Sequence, residues 1–216
     1  MEMTAAIAMD RMYRRQRYVY DFTRRYYLLG RDLLIRRLNP ASGGHVLEIG
    51  CGTGRNLVVA ARRYKNAHFL GIDISRQMLK SSDRAIERAD LQSRVRVAYA
   101  DAADFDPGAL FGSPKFTRIF ISYSLSMIPD WPRVLEGAVR LLADGGELHI
   151  VDFGGQERLP RWFRNTLRKW LALFHVHPRD DMERTLAALS SRIGARLAFE
   201  RPYLSYAQYA VLRKAR

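Results

Sequence analysis

The chain has 216 residues, 36 Lys and Arg against 22 Asp and Glu, a net charge of +14 and a single Cys. A hydrophobic share of 48% permits a full core and excludes disorder and collagen, and one Cys excludes an internal disulfide scaffold. No run of about 18 uncharged apolar residues occurs, so no membrane-spanning helix is expected.

Glu2, Asp10 and the Arg residues that follow argue against a secretory leader. The expectation is therefore a cytoplasmic protein, soluble or peripheral. The charge is unevenly spread: residues 1–45 carry +5, 46–154 carry +1 and 155–216 carry +8. Two basic flanks around a neutral middle point to an anionic partner, either nucleic acid or a membrane surface.

In chain order, residues 5–38 read as helical and rich in Arg and Tyr. Strands are expected at 45–50, 67–73, 94–101, 116–125 and 145–153, with helices at 54–64, 75–90 and 130–143 between them. Near-continuous apolar strands alternating with helices predict a doubly wound α/β domain with a mostly parallel sheet. A helical insert at 159–174 and 179–193 follows. Two last strands, 195–203 and 208–215, form a terminal hairpin that brings the strands to seven and makes one antiparallel. The domain plan is a basic N-terminal part (1–44), a core (45–155), an amphipathic insert (156–193) and the hairpin (194–216).

The first strand runs into Gly50-Cys51-Gly52-Thr53-Gly54 and then a helix. Glycines at such a turn let backbone approach a ligand at the carboxyl edge of the sheet. The spacing is G-x-G-x-G, preceded by Glu48, and departs from the G-x-G-x-x-G of dinucleotide sites. Asp73 ends the second strand, where a carboxylate can take ribose hydroxyls, and Asp101 ends the third. Unpaired carboxylates are costly to bury, so core packing does not account for them. Cys51 reads as structural, because no His or second Cys is placed to activate it. The five His residues show no metal spacing, and no metal is expected.

The segments VLEIGCGTGRN (46–56), GIDIS (71–75), YADAADF (99–105), IFISYSLSMIPDW (119–131) and LLADGGELHIVDFG (141–154) resemble the successive motifs of class I S-adenosylmethionine-dependent methyltransferases, which have a Rossmann-like fold. The resemblance implies S-adenosylmethionine as cofactor and S-adenosylhomocysteine as product. It places Gly50, Gly52 and Gly54 around the methionine part and Asp73 on the ribose. Ile74 and Met78 would flank the adenine, Asp101 and the Ala102 amide would read its edge, and Ser122 would lie beside the amino acid. Glu48, ahead of the loop, joins the cofactor-binding set.

Methyl transfer is an in-line displacement in which alignment supplies much of the rate. The Pro-Pro-aromatic motif of amino-methylating nucleic-acid enzymes is missing, and Ser122-Tyr123-Ser124-Leu125 stands in its place. Cys51 is misplaced for pyrimidine C5 chemistry, so nucleic acid is not expected as acceptor. In 159–174, Trp162, Phe163, Leu167, Trp170, Leu171 and Phe174 recur at helical spacing among Arg161, Arg164, Arg168 and Lys169. Cations opposite Trp, Phe and Leu suit a helix lying in a lipid interface. Met9, Met12, Tyr13 and Tyr20 beside Arg11, Arg14, Arg15 and Arg17 repeat the theme.

The run MDRMYRRQRYVYDFTRRYYLLGRD (9–32) resembles the bacterial enzymes that trimethylate diacylglycerylhomoserine to a betaine lipid, and the allied phosphatidylethanolamine N-methyltransferases. This implies a lipid amine as acceptor at the inner face of the cell membrane. Tyr13, Tyr20, Tyr26, Tyr27 and Tyr123 are candidates to line a head-group pocket, since aromatic faces stabilise a growing cation. Tyr27 and Tyr123 are the candidates nearest the chemistry. Arg31 and Arg158 are candidates for an anionic head-group part. The two phenols and Arg31 within 26–32 favour the homoserine lipid, whose carboxylate lies beside the amine. Phosphatidylethanolamine is the alternative, and a small-molecule or RNA methyltransferase, a dinucleotide oxidoreductase and a catalytically silent membrane binder are the rivals.

Overall fold

The computed structural model describes residues 28–112, 115–174 and 176–215. Its strands are β1 (His45–Ile49), β2 (His68–Asp73), β3 (Val95–Tyr99), β4 (Phe116–Ser122), β5 (Leu142–Phe153), β6 (Arg196–Glu200) and β7 (Ala207–Arg213). They form one sheet in the order β3-β2-β1-β4-β5-β7-β6. The first five pair in parallel, and β7 runs antiparallel to both β5 and β6. Strand order reverses between β1 and β4, which opens a crevice at their carboxyl ends.

The helices of five residues or more are α1 (Arg31–Arg37), α2 (Arg55–Arg63), α3 (Arg76–Arg88), α4 (Pro107–Phe111), α5 (Trp131–Leu141), α6 (Arg161–Ala172) and α7 (Met182–Arg192); a helical turn, Pro202–Ser205, ends the expected strand 195–203 early, at Glu200. Side chains alternate across each strand, so one sheet needs two apolar layers. Val46, Phe120 and Val151 pack with Leu34 and Ile35 of α1, Leu57 and Ala60 of α2, Leu79 of α3 and Leu171 of α6. Leu47, Ile49, Ile119 and Ile121 face the other way, onto Val134 and Leu135 of α5 and Leu186 of α7. Among the described residues no helix is long and apolar enough to cross a membrane.

The seven-stranded, mostly parallel architecture matches the expectation, with boundary corrections. β4 stops at Ser122 instead of continuing to 125, because Tyr123 turns left-handed (φ 57°) and a 3₁₀ turn, Leu125–Met127, follows. β3 stops at Tyr99, so Asp101 sits in the succeeding turn. β5 starts at Leu142, three residues early, through a register shift against β4 near Phe116. α4 was not expected: Asp106 caps it by accepting from Gly108 N at 2.8 Å, and Pro107 opens it. The expected helix 179–193 is shorter, at Met182–Arg192. Of the expected helical run 5–38, only α1 falls within the described residues.

Candidate active site

The glycine loop leaves β1 with Gly50 N and Cys51 N both donating to Ile72 O, each at 2.9 Å. Gly50 (φ 74°) has no room for a side chain: a Cβ there would lie 2.6 Å from the Ser124 Cβ. Ser124 in turn donates from Oγ to Ile49 O at 3.0 Å, which locks the turn after β4 to the loop. Gly54 (φ 73°) opens α2 and faces Ser82 of α3 just as closely. Glu48, fully buried, accepts from Asn56 Nδ2 at 2.8 Å and so ties β1 to the first turn of α2.

Asp73 completes this cradle. Its Oδ2 accepts from Gly52 N at 2.8 Å and its Oδ1 from Ser75 N at 2.9 Å, which aims the carboxylate along the loop. Ser75 also caps α3 by accepting from Met78 N at 3.3 Å. Ile74 is half-buried and Met78 buried. Asp101, half-buried, accepts from Ala103 N at 2.8 Å, and Ala102 sits between them. Ser122 Oγ is buried at the end of β4 with no hydrogen-bond partner among the described residues. An orphaned hydroxyl beside a glycine cradle suits a polar ligand. Among the cofactor candidates, Glu48, Gly50, Gly52 and Asp73 are thus tied together by β1, β2 and the loop between β1 and α2.

The acceptor candidates fare differently. Tyr13, Tyr20, Tyr26 and Tyr27 lie outside the described residues, as do Met9 and Met12. Tyr123 is buried, its N–H donates to Val151 O at 2.8 Å and its hydroxyl donates to Leu29 O. Burial, reinforced by Tyr206 and Asp152, pushes its pKa far up, so the phenol is a neutral donor at any physiological pH. Its ring meets Phe153 edge-on at 4.7 Å between centroids. Arg31, at the start of α1, is buried and acts electrostatically on the same phenol. Arg158 is exposed in the turn after β5.

Asp152 was not among the expected site residues, although it stands next to last in β5, close to where Asp73 stands in β2. It is fully buried, accepts from Ser126 N at 3.1 Å and Phe153 N at 2.8 Å, and burial raises its pKa to about 6. Arg179 and Tyr206 also reach this edge, and nothing in their sequence surroundings signals it.

The apolar stripe of α6 is corrected by its surroundings. Leu171 is buried, and Leu167, Trp170 and Phe174 pack on the core. Trp162 (71% exposed), Leu173 (73%) and Phe163 (37%) face outward beside Arg161 and Lys169. Spacing alone merges the two groups, and only the position of the sheet separates them.

Residues 47–148 match a family model described as "Methyltransferase domain". Demethylmenaquinone methyltransferase of Listeria welshimeri is 28% identical over 129 residues, 59% of this chain and 52% of that protein. Phosphatidylethanolamine N-methyltransferase of Cereibacter sphaeroides is 30% identical over 120 residues, 56% of each chain. The chain thus spans about half the length of the curated relatives it matches. A Haemonchus contortus phosphoethanolamine N-methyltransferase, solved with phosphomonomethylethanolamine and S-adenosylhomocysteine, superposes with a TM-score of 0.68 at 15% identity, covering 86% of this chain and 52% of that one. The matched segment carries the glycine cradle at the β1/β4 switch point, and the chain is similar to methyltransferases in both sequence and fold.

Proposed function

We propose that the protein binds S-adenosylmethionine in the Gly50–Gly54 cradle and N-methylates the amine of a two-chain lipid, with diacylglycerylhomoserine as the acceptor. The observation that carries this reading is the pairing of the cradle with an outward-facing Trp162, Phe163 and Leu173 surface among cations on the same chain. The phosphatidylethanolamine N-methyltransferase relative supports a lipid amine and favours the phospholipid as the alternative acceptor. Arg31 beside Tyr123 favours the homoserine lipid, since a carboxylate next to the reacting nitrogen calls for a cation inside the pocket.

Bound cofactor supplies an electrophilic methyl on a sulfonium. The residues of the chain hold and align. Asp73 and the glycine loop shape the donor side, while the neutral Tyr123, tied to Leu29, shapes the acceptor side. The acceptor nitrogen attacks as a free amine, its lone pair forming the new N–C bond, and each of the first two transfers releases a proton to water. Alignment of this kind is worth about 7–11 kcal/mol in oriented reactions. The deciding assay compares diacylglycerylhomoserine and phosphatidylethanolamine side by side in mixed micelles with labelled cofactor. Turnover of the phospholipid with the homoserine lipid untouched transfers the function to the phospholipid, and turnover of neither ends the lipid reading.

The docking surface has its own expected result. The protein should bind anionic vesicles and weaken with salt, at about 1 kcal/mol per basic residue near the surface. Replacing Trp162, Phe163 and Leu173 together with Ala should remove a salt-insensitive part, because that change strips apolar burial. Flotation with no dependence on anionic lipid would overturn the electrostatic component.

A further inference from the structure

The turn between β4 and α5, residues 123–128, meets the glycine loop, the segment entering α1 and the end of β5. Ser124 abuts Gly50 of the cofactor loop, and Tyr123 holds Leu29 of the segment entering α1. Asp152 takes Ser126 N from the end of β5. Within the turn, Met127 N donates to Ser124 O at 3.0 Å and Ile128 N to Leu125 O at 3.1 Å. The carbonyls of Leu125, Ser126 and Ile128 all accept from the segment that precedes α7, Leu125 O in addition to its bond from Ile128 N.

His177 N donates to Ser126 O at 2.9 Å. The Arg179 guanidinium donates from Nε to Leu125 O at 3.1 Å and from its terminal nitrogen to Ile128 O at 2.7 Å. It also lies over the Trp131 ring, 5.9 Å from the centroid. The Arg179 carbonyl accepts from Gln208 Nε2 at 2.9 Å, and the same nitrogen donates to Phe153 O at 2.9 Å. Arg179 is thus itself pinned to β5 and β7. A planar fork meeting two carbonyls three residues apart fixes both their spacing and direction, which a point-charge Lys cannot do.

The neighbour of Arg179 extends this frame to α6. Asp180 pairs with Arg168 of α6 at 2.9 Å, and Arg168 also donates to Gln156 Oε1 and Gly155 O, each at 3.2 Å. The helix carrying Trp162 and Phe163 and the turn carrying Tyr123 are therefore braced by adjacent residues.

We propose that Arg179 is a positioning residue for the methyl acceptor: its fork sets the Leu125–Ile128 end of the turn that walls the acceptor side, while the Ser124 end is held to the cofactor loop by its own bond to Ile49 O. This rests on the methyltransferase reading of the site, and the lipid class enters only through the choice of probe. The variants are Arg179→Met, which removes the fork, and Arg179→Lys, which keeps the charge and one bond.

Three measurements on the full chain separate positioning from simple bracing. Calorimetry with S-adenosylhomocysteine should give dissociation constants within about twofold of wild type for both variants. Hydrogen exchange of the Ser126, Met127 and Ile128 amides should accelerate at least about tenfold in Arg179→Met and less in Arg179→Lys. With the two lipids in mixed micelles, kcat/KM should fall at least about tenfold in Arg179→Met, with Arg179→Lys between it and wild type. Unchanged exchange at 126–128 overturns the proposal. So does a parallel loss of cofactor affinity, melting temperature and acceptor turnover, which is the signature of a brace alone. A wild-type chain that turns over neither lipid removes the lipid reading, while the exchange data still decide whether Arg179 sets the turn.

Discussion

Asp73→Ala should weaken S-adenosylhomocysteine binding at least about a hundredfold. Two charge-assisted hydrogen bonds from ribose hydroxyls are worth roughly 1.5–3 kcal/mol each, and about 1.4 kcal/mol is tenfold in affinity. The carboxylate already sits where Gly52 N and Ser75 N aim it, so little ordering remains to be done when the ribose arrives. The substitution also strips both amides of their acceptor, one in the loop and one at the N-terminus of α3, and loosens the cradle itself. Asp73→Asn should fall between, because its amide nitrogen cannot accept from either N–H. Calorimetric titration measures the affinity, with the thermal midpoint as the folding control. Unchanged affinity in a folded Asp73→Ala would remove this residue from the site.

Glu147→Gln should cost about 3 kcal/mol of stability, the low end for breaking a buried ion pair from one side. Glu147 Oε1 accepts from Arg213 Nε at 2.6 Å, while Oε2 lies 3.0 Å from His149 Nε2 and 3.3 Å from Arg118 Nε. His149 continues through Nδ1 to the Tyr209 hydroxyl at 2.8 Å, and Arg37 lies over the Tyr209 ring. Arg118 also donates to Leu38 O at 2.6 Å, so the network anchors the end of α1 to the sheet. For a chain of this size the loss corresponds to a midpoint lower by roughly 6–12 °C.

The pH dependence of that variant carries a sign. The hydrogen bond with His149, then Arg213 and Arg118, hold the Glu147 carboxyl down at about 2, against the desolvation that acts to raise it. A carboxylate depressed in the folded state stabilises fully above its unfolded pKa and loses that contribution as pH falls towards the folded value. The wild-type advantage over Glu147→Gln should therefore be constant above about pH 5 and shrink as pH falls towards 2. Exposure of the Arg213 side chain screens part of it, so about 2 of the 3 kcal/mol depends on pH and is lost as pH falls from 5 towards 2. His149, by contrast, is pushed down by burial and stays neutral near pH 7. Denaturant unfolding at pH 7, 5 and 3 measures the difference, and a gap that widens towards pH 3 would contradict the assignment.

The placement of the glycine loop and Asp73 at one sheet edge was legible in the sequence because its determinants are local. The G-x-G-x-G run follows directly on β1, and Asp73 closes β2, so strand ends and glycine spacing alone put these residues at one edge. Apolar strands alternating with helices likewise implied the parallel sheet, since burial on both faces demands near-continuous apolar runs. The acceptor side depends on contacts between residues far apart in the chain. Tyr123 reaches Leu29, Asp152 reaches Ser126, and Arg179 reaches Leu125 and Ile128; no periodicity records such pairings. The same holds for α6: its spacing announces an apolar stripe, but the sheet decides that Leu171 goes in and Trp162 stays out. Residue types and their order along the chain determined the strand-and-helix alternation and the glycine cradle, because backbone geometry and strand periodicity act over a few residues. The tertiary structure alone decided the hydrogen-bonded frame around the 123–128 turn, because burying a carbonyl or carboxylate requires a partner that only the folded chain brings within reach.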